Sequence, residues 1–271
     1  MDRIYKVGSL FAGIGGICLG FQQAKLDGIA EYELEWANEI DEYACETYRT
    51  NFSHKLIEGD INKVLNPELA EEGEARNKEY YQLMKQEILK SKIDVLTGGF
   101  PCQAFSIAGE RRGFDDERGN LFWSIINLVE QLDKIHGMPR ILFLENVKNL
   151  KSHDGGRTYK VIKSEIEKLG YIVKEHIINT MDYSYLPQNR ERIYIICFLN
   201  KEDADKFTMF EDLEKFKLKQ NAQDRENEIK KIIDYTKKLM KNTTIKKKKI
   251  LTTFFQLKNT KAYPSRIGKV L

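Results

Sequence analysis

Apolar and polar positions follow two rhythms along the first two hundred residues of the chain. Short apolar runs at Val7-Gly8-Ser9-Leu10-Phe11, Leu34 to Ile40, Leu56-Ile57-Glu58, Ile93 to Thr97, Ile141 to Leu144, Tyr171 to Ile178 and Ile193 to Leu199 have the length and composition of strands. Between them, Gly16 to Ala24, Glu42 to Thr50, Glu79 to Lys90, Leu121 to Lys134 and Thr158 to Leu169 repeat apolar residues at helical spacing. Strand and helix in alternation predict an α/β fold, a mostly parallel sheet with helices on both faces. The last two strands follow one another across Asn179 to Arg192 with no long helix between, which predicts an antiparallel edge strand. Pro67 to Arg76, rich in Glu and Ala, reads as a surface insertion leading into a helix. From Asn200 the periodicity weakens, charged residues dominate and glycine is absent until Gly268. The expected organisation is one domain over residues 1–199 and a charged, partly helical region over 200–271.

Composition sharpens this only in part. With 271 residues and 41% apolar content, the chain can bury the core of one large α/β domain. No apolar run approaches the ~18 residues of a membrane span, and the first residues lack a signal peptide's basic flank and apolar segment. The expectation is a cytoplasmic protein with no membrane association. The four cysteines, Cys18, Cys45, Cys102 and Cys197, form no Cys-x-x-Cys pair and have no histidine at ligand spacing, so neither a disulfide framework nor a metal site is expected. Cys18, Cys45 and Cys197 read as small buried hydrophobes. A net charge of +3 does not by itself identify a nucleic-acid partner. The tract Lys246-Lys247-Lys248-Lys249 suits either phosphates or solvent.

Candidate chemistry gathers where strands end. Phe11-Ala12-Gly13-Ile14-Gly15-Gly16 falls between the first strand and the first helix, where glycines allow a sharp turn and close approach of a ligand. The pyrophosphate fingerprint is not met, because Cys18 stands where its third glycine belongs. A tight structural turn explains the glycines equally well until the acids downstream are added. Glu39 closes the second strand, where an acid can accept from ribose hydroxyls. Asp60, in Glu58-Gly59-Asp60-Ile61, closes the third and can accept from an adenine amino group. Together they suit an adenosine ligand without a pyrophosphate, such as S-adenosylmethionine.

The fourth strand runs into Gly98-Gly99-Phe100-Pro101-Cys102-Gln103, which brings a thiol to the same edge. Pro101 fixes its own φ and biases Phe100 toward an extended geometry. The glycines before Cys102 and the polar loop to Gly119 make a core cysteine a poor reading, and the loop has the character of a lid. A thiolate nucleophile needs a positive field or a base. A cysteine hydrolase would want a histidine partner, yet His54, His136, His153 and His176 sit in no recognisable partner motif. Glu145-Asn146-Val147 leaves the fifth strand at this edge, where desolvation favours a protonated carboxyl. Gln188-Asn189-Arg190-Glu191-Arg192 precedes the seventh strand, and an ion pair between Glu145 and Arg190 or Arg192 is the plain structural alternative.

These four segments, in this order, resemble the cofactor, nucleophile, acid and base-clamping motifs of the cytosine-5 DNA methyltransferases of bacterial restriction-modification systems. The resemblance covers roughly Lys6 to Leu199. It implies a Rossmann-like S-adenosylmethionine-dependent methyltransferase fold acting on a cytosine flipped out of double-stranded DNA. It also implies that Cys102, beside Gln103, adds to carbon 6 of the ring. Glu145 would hydrogen-bond ring nitrogen 3 and the amine, Arg192 would contact the base oxygen, and Arg190 would support the nucleophile loop. For S-adenosylmethionine, Phe11 would lie against the adenosyl group and Gly13, Gly15 and Gly16 would leave room for the methionine end. Glu39 would take the ribose, Asp60 with Ile61 the adenine, and Ile40 would stand where some members pack a tryptophan on adenine. Pro101 and Leu121 match positions that flank the cofactor.

Members of the family continue into a target-recognition region and a final motif that completes the cofactor pocket. Neither is legible in Asn200 to Leu271. The expectation is a chain that is weak or inactive alone. A truncated remnant, a split enzyme whose second polypeptide supplies target recognition and the final motifs, and a short variant all fit. A branch that methylates transfer RNA shares the same motifs.

Overall fold

The computed structural model describes residues 3–24, 30–101, 121–183 and 188–217, together with Asn227, Lys230 and Asp234. Its first strand, β1 (Arg3–Leu10), starts earlier than the apolar run because it pairs with a long partner, β2 (Ala30–Glu39). In β2, Glu31, Glu33 and Glu35 alternate with Tyr32, Leu34 and Trp36, the period-two pattern of a strand. Cross-strand contacts hold the polar ends: Lys6 Nζ meets Glu35 Oε1 at 2.7 Å, and the rings of Tyr5 and Tyr32 lie 5.8 Å apart.

The remaining strands are β3 (Lys55–Glu58), β4 (Val95–Gly98), β5 (Ile141–Val147), β6 (Ile172–Asn179) and β7 (Glu191–Phe198). They complete a seven-stranded sheet in the order β3-β2-β1-β4-β5-β7-β6. Pairings β1/β2, β2/β3, β1/β4 and β4/β5 are parallel, and the β6 and β7 side forms one antiparallel edge. The chain leaves β1 toward β2 and β3, then returns to β4 on the other side. Right-handed crossovers therefore put the helices before and after that reversal on opposite faces. On one face lie α1 (Gly16–Gln23) and α2 (Glu42–Asn51), and on the other α4 (Lys78–Lys90), α5 (Leu121–His136) and α6 (Arg157–Lys168).

The first face is closed by a cluster of Val7, Leu34, Ala37 and Val95 from the sheet with Cys18 of α1 and Tyr48 of α2. The second rests on α5, whose Phe122, Ile125, Leu128, Val129 and Leu132 recur at helical spacing and are fully buried. Each such side chain contributes ~1.5–3 kcal/mol by leaving water. A short helix, α3 (Ile61–Leu65), lies between β3 and α4. Five residues are too few to show a period, so it was not legible in the pattern. Four-residue α7 (Thr180–Tyr183), α8 (Lys201–Lys206) and α9 (Met209–Phe216) complete the described α-helices.

The structure divides into two units, Met1–His176 with Ile193–Phe207, and Ile177–Arg192 with Thr208–Leu271. Among the described residues no helix is long and apolar enough to cross a membrane. Cys18, Cys45 and Cys197 are buried as expected, and burial pushes the Cys45 thiol up to about 11.

Candidate active site

Strand register decides which motifs meet. Leu10 pairs with Gly98 and Gly98 with Leu144. Phe11, Gly99 and Glu145 therefore follow in one row off three adjacent strands, beside the reversal of strand order where such sheets bind ligands. On the flank, Glu39 pairs with Glu58, which puts the exits of β2 and β3 side by side.

The turn after β1 runs through Phe11 at φ 53, Gly13 at φ 56 and Gly15 at φ 93. Left-handed backbone costs a side-chain-bearing residue about 1–2 kcal/mol, so Phe11 is held there by its surroundings. Glu39 does much of the holding. Its Oε2 accepts from Gly13 N at 2.6 Å, and its Oε1 accepts from Ile40 N and Asp41 N, both at 2.8 Å. Three amide donors offset the desolvation of a carboxylate that is 8% exposed. Glu39 thus organises the glycine turn, a duty that its position at a strand end did not reveal.

The glycines differ in purpose. A Cβ on Gly13 would meet nothing within 4 Å, so that side is open. A Cβ on Gly15 would lie 2.2 Å from the Phe52 ring, so Gly15 makes room for packing. Gly16 opens α1 on an open side. Asp60 also has a structural duty: it caps α3, with Oδ1 accepting from Asn62 N at 2.8 Å. Ile61 is buried in the first turn of α3, whereas Ile40 is 65% exposed. Leu121, at the start of α5, is half-buried.

After β4 the description covers Gly98 to Pro101; Cys102 and Gln103 lie outside the described residues. Pro101 is exposed, and Phe100, 2% exposed, packs its ring 5.9 Å from that of Phe122. A Cβ on Gly99 would stand 3.5 Å from Glu145 Oε2, an ordinary van der Waals contact that puts Gly99 beside the Glu145 carboxyl group. Asn146, 2% exposed, donates Nδ2 to the carbonyl of Phe100 at 2.9 Å and accepts from Val147 N at 2.8 Å. It therefore ties the strand that carries Glu145 to the segment two residues before Cys102.

Arg190 and Arg192 belong to the second unit. There Asn179 Oδ1 accepts from Arg190 N and Met181 N, each at 3.1 Å, and Arg192 Nη1 donates to the Glu191 carbonyl at 2.9 Å. Three histidines have structural partners: His54 with the Tyr48 hydroxyl, His136 with the Leu89 carbonyl and His153 with the Thr158 hydroxyl. None of these contacts favours a hydrolase. Among the described residues no cluster of His, Cys, Asp or Glu could hold a metal ion.

The sequence pattern of the C-5 cytosine-specific DNA methylases matches residues 5–269, extending beyond the segment from Lys6 to Leu199 that carries the motifs. The type II methyltransferase M.Bsp6I of Bacillus sp. (strain RFL6) is 41% identical over 203 residues, 74% of this chain and 55% of that protein. M.HhaI of Haemophilus parahaemolyticus is 37% identical over 198 residues, 73% of this chain and 50% of the relative. The chain thus spans about half the length of the curated relatives it matches. Among solved structures, a variant of DNMT2 from Spodoptera frugiperda superposes with a TM-score of 0.50 at 22% identity, covering 73% of this chain and 50% of the other, a likeness of fold. These matches establish that the chain belongs to the C-5 cytosine-specific DNA methylase family.

Proposed function

We propose that the chain carries the cofactor and catalytic parts of a DNA (cytosine-5)-methyltransferase of a restriction-modification system, acting on double-stranded DNA in the cytoplasm. The observation that carries this reading is the row of Phe11, Gly99 and Glu145 at one sheet edge. In this reading residues 1–199 hold the chemistry, and 200–271 form part of a target-recognition region.

The donor set fits S-adenosylmethionine. The open side of Gly13 suits the methionine end, and Glu39 offers carboxylate lone pairs to a ribose. Asp60 keeps an oxygen beyond its cap for an adenine amine, and exposed Ile40 offers an apolar cover. When bound, this cofactor supplies an electrophilic methyl group. The chain's residues prepare the ring to receive it. Cys102 as thiolate forms a bond to carbon 6, and the displaced electron pair moves toward nitrogen 3. Glu145 would hydrogen-bond nitrogen 3 and the amine, and Arg192 would contact the base oxygen, so the charge does not build up unopposed. Carbon 5 becomes nucleophilic. After it has gained a methyl group, loss of its proton re-forms the ring double bond and expels Cys102.

Covalent trapping tests this. An oligonucleotide carrying 5-fluorocytosine has no proton to lose at carbon 5, so the nucleophile stays attached. Wild type incubated with S-adenosylmethionine and such a duplex is expected to form an adduct that Cys102→Ala cannot form. Absence of adduct from wild type, even with a candidate partner polypeptide present, overturns the reading. Adduct with transfer RNA alone would move the substrate from DNA to RNA.

A further inference from the structure

Immediately before Glu39, Asn38 places a polar side chain that is 2% exposed in the middle of the sheet edge. Its Nδ2 donates to the carbonyl oxygens of Ile57 at 3.0 Å and Gly59 at 2.9 Å. Those carbonyls bracket Glu58, so the exit of β3 is held on both sides of one residue. The N–H of Gly59, at φ 130, closes back onto the Glu39 carbonyl at 2.8 Å. Asp60 is the next residue. Two carbonyls facing one side chain call for two donors: an amide supplies them, a serine supplies one, and an alanine none. An apolar residue would fill this space but direct nothing.

We propose that Asn38 is a positioning residue for the adenine end of the cofactor site, acting through the exit of β3 on Asp60. The inference rests on the reading of Asp60 as a cofactor residue given above. Asn38 touches no ligand itself. It sets where the free oxygen of Asp60 stands.

Calorimetric titration of S-adenosylmethionine into the 271-residue chain, with melting curves of each variant, tests it. Asn38→Ala is expected to weaken binding about 10- to 100-fold and Asn38→Ser less, because one donor survives. Asp60→Asn keeps the helix cap but turns an N–H toward the adenine amine, and should itself weaken binding about 10-fold. In Asn38→Ala combined with Asp60→Asn the losses should fall short of their sum, the mark of two residues acting on one contact. Wild-type affinity in folded Asn38→Ala, or losses that add in full, overturns the proposal. So does failure of both Asn38 variants to fold, which would make Asn38 a core residue only. Wild type that binds no S-adenosylmethionine, even with a candidate partner polypeptide present, defeats the cofactor reading itself, and the inference with it.

Discussion

Gly13 and Gly15 stand two residues apart in one turn and are glycines for different reasons. At Gly15 a methyl group would enter the Phe52 ring and the backbone would keep its left-handed φ of 93. Gly15→Ala is expected to lower the unfolding free energy by about 3 kcal/mol or more in urea titration, since overpacking and backbone strain add. Gly13→Ala faces open space at φ 56, so about 1 kcal/mol of backbone cost is expected. Its larger effect should be weaker S-adenosylmethionine binding. Spacing alone could not separate the two, because the Phe52 ring that dictates Gly15 comes from the far end of α2. Glu39 and Asp60 were legible as acids at strand ends, but their bonds to Gly13 and Asn62 were not, since they depend on which loops fold toward them.

At the scale of elements, the alternation of strands and helices was legible because burial on both sheet faces leaves continuous apolar runs. Boundaries were less so: β1 gains Arg3 to Lys6 through pairing with β2, which no local pattern announces. The least legible residues were the buried amides. Asn38 and Asn146 are both 2% exposed and join one element to the next, which no sequence pattern announces. Asn146 joins β5 to the loop after β4 and leaves the cofactor side alone. Asn146→Ala should therefore bind S-adenosylmethionine within about 2-fold of wild type but form the 5-fluorocytosine adduct about 10- to 100-fold more slowly, because the Phe100 carbonyl loses its donor. Equal rates of adduct formation would remove Asn146 from the positioning of Cys102.

For the whole molecule, pH reports on the α2 side of the core. His54 is half-buried, accepts or shares a proton with the Tyr48 hydroxyl at 2.6 Å and sits against the rings of Tyr48 and Phe52. Burial holds its imidazole below the ordinary value. The unfolded chain therefore takes up the proton first, and this residue's stabilisation is present above about pH 6.5 and lost as pH falls below it. Melting temperatures measured from about pH 7.5 to 5.5 should decline more steeply in wild type than in His54→Gln. The strand order carries one more consequence. Gly99 and Phe100 follow β4, in the interior of the sheet, whereas Asp60 follows β3, a four-residue strand at its edge. What keeps that edge closed is Glu58, gripped by Arg49 and Arg76 through its carboxylate and by the Tyr80 hydroxyl through its carbonyl. The two exits consequently differ in local opening free energy, and amide exchange would find the β3 exit opening locally at a lower free energy than the β4 exit.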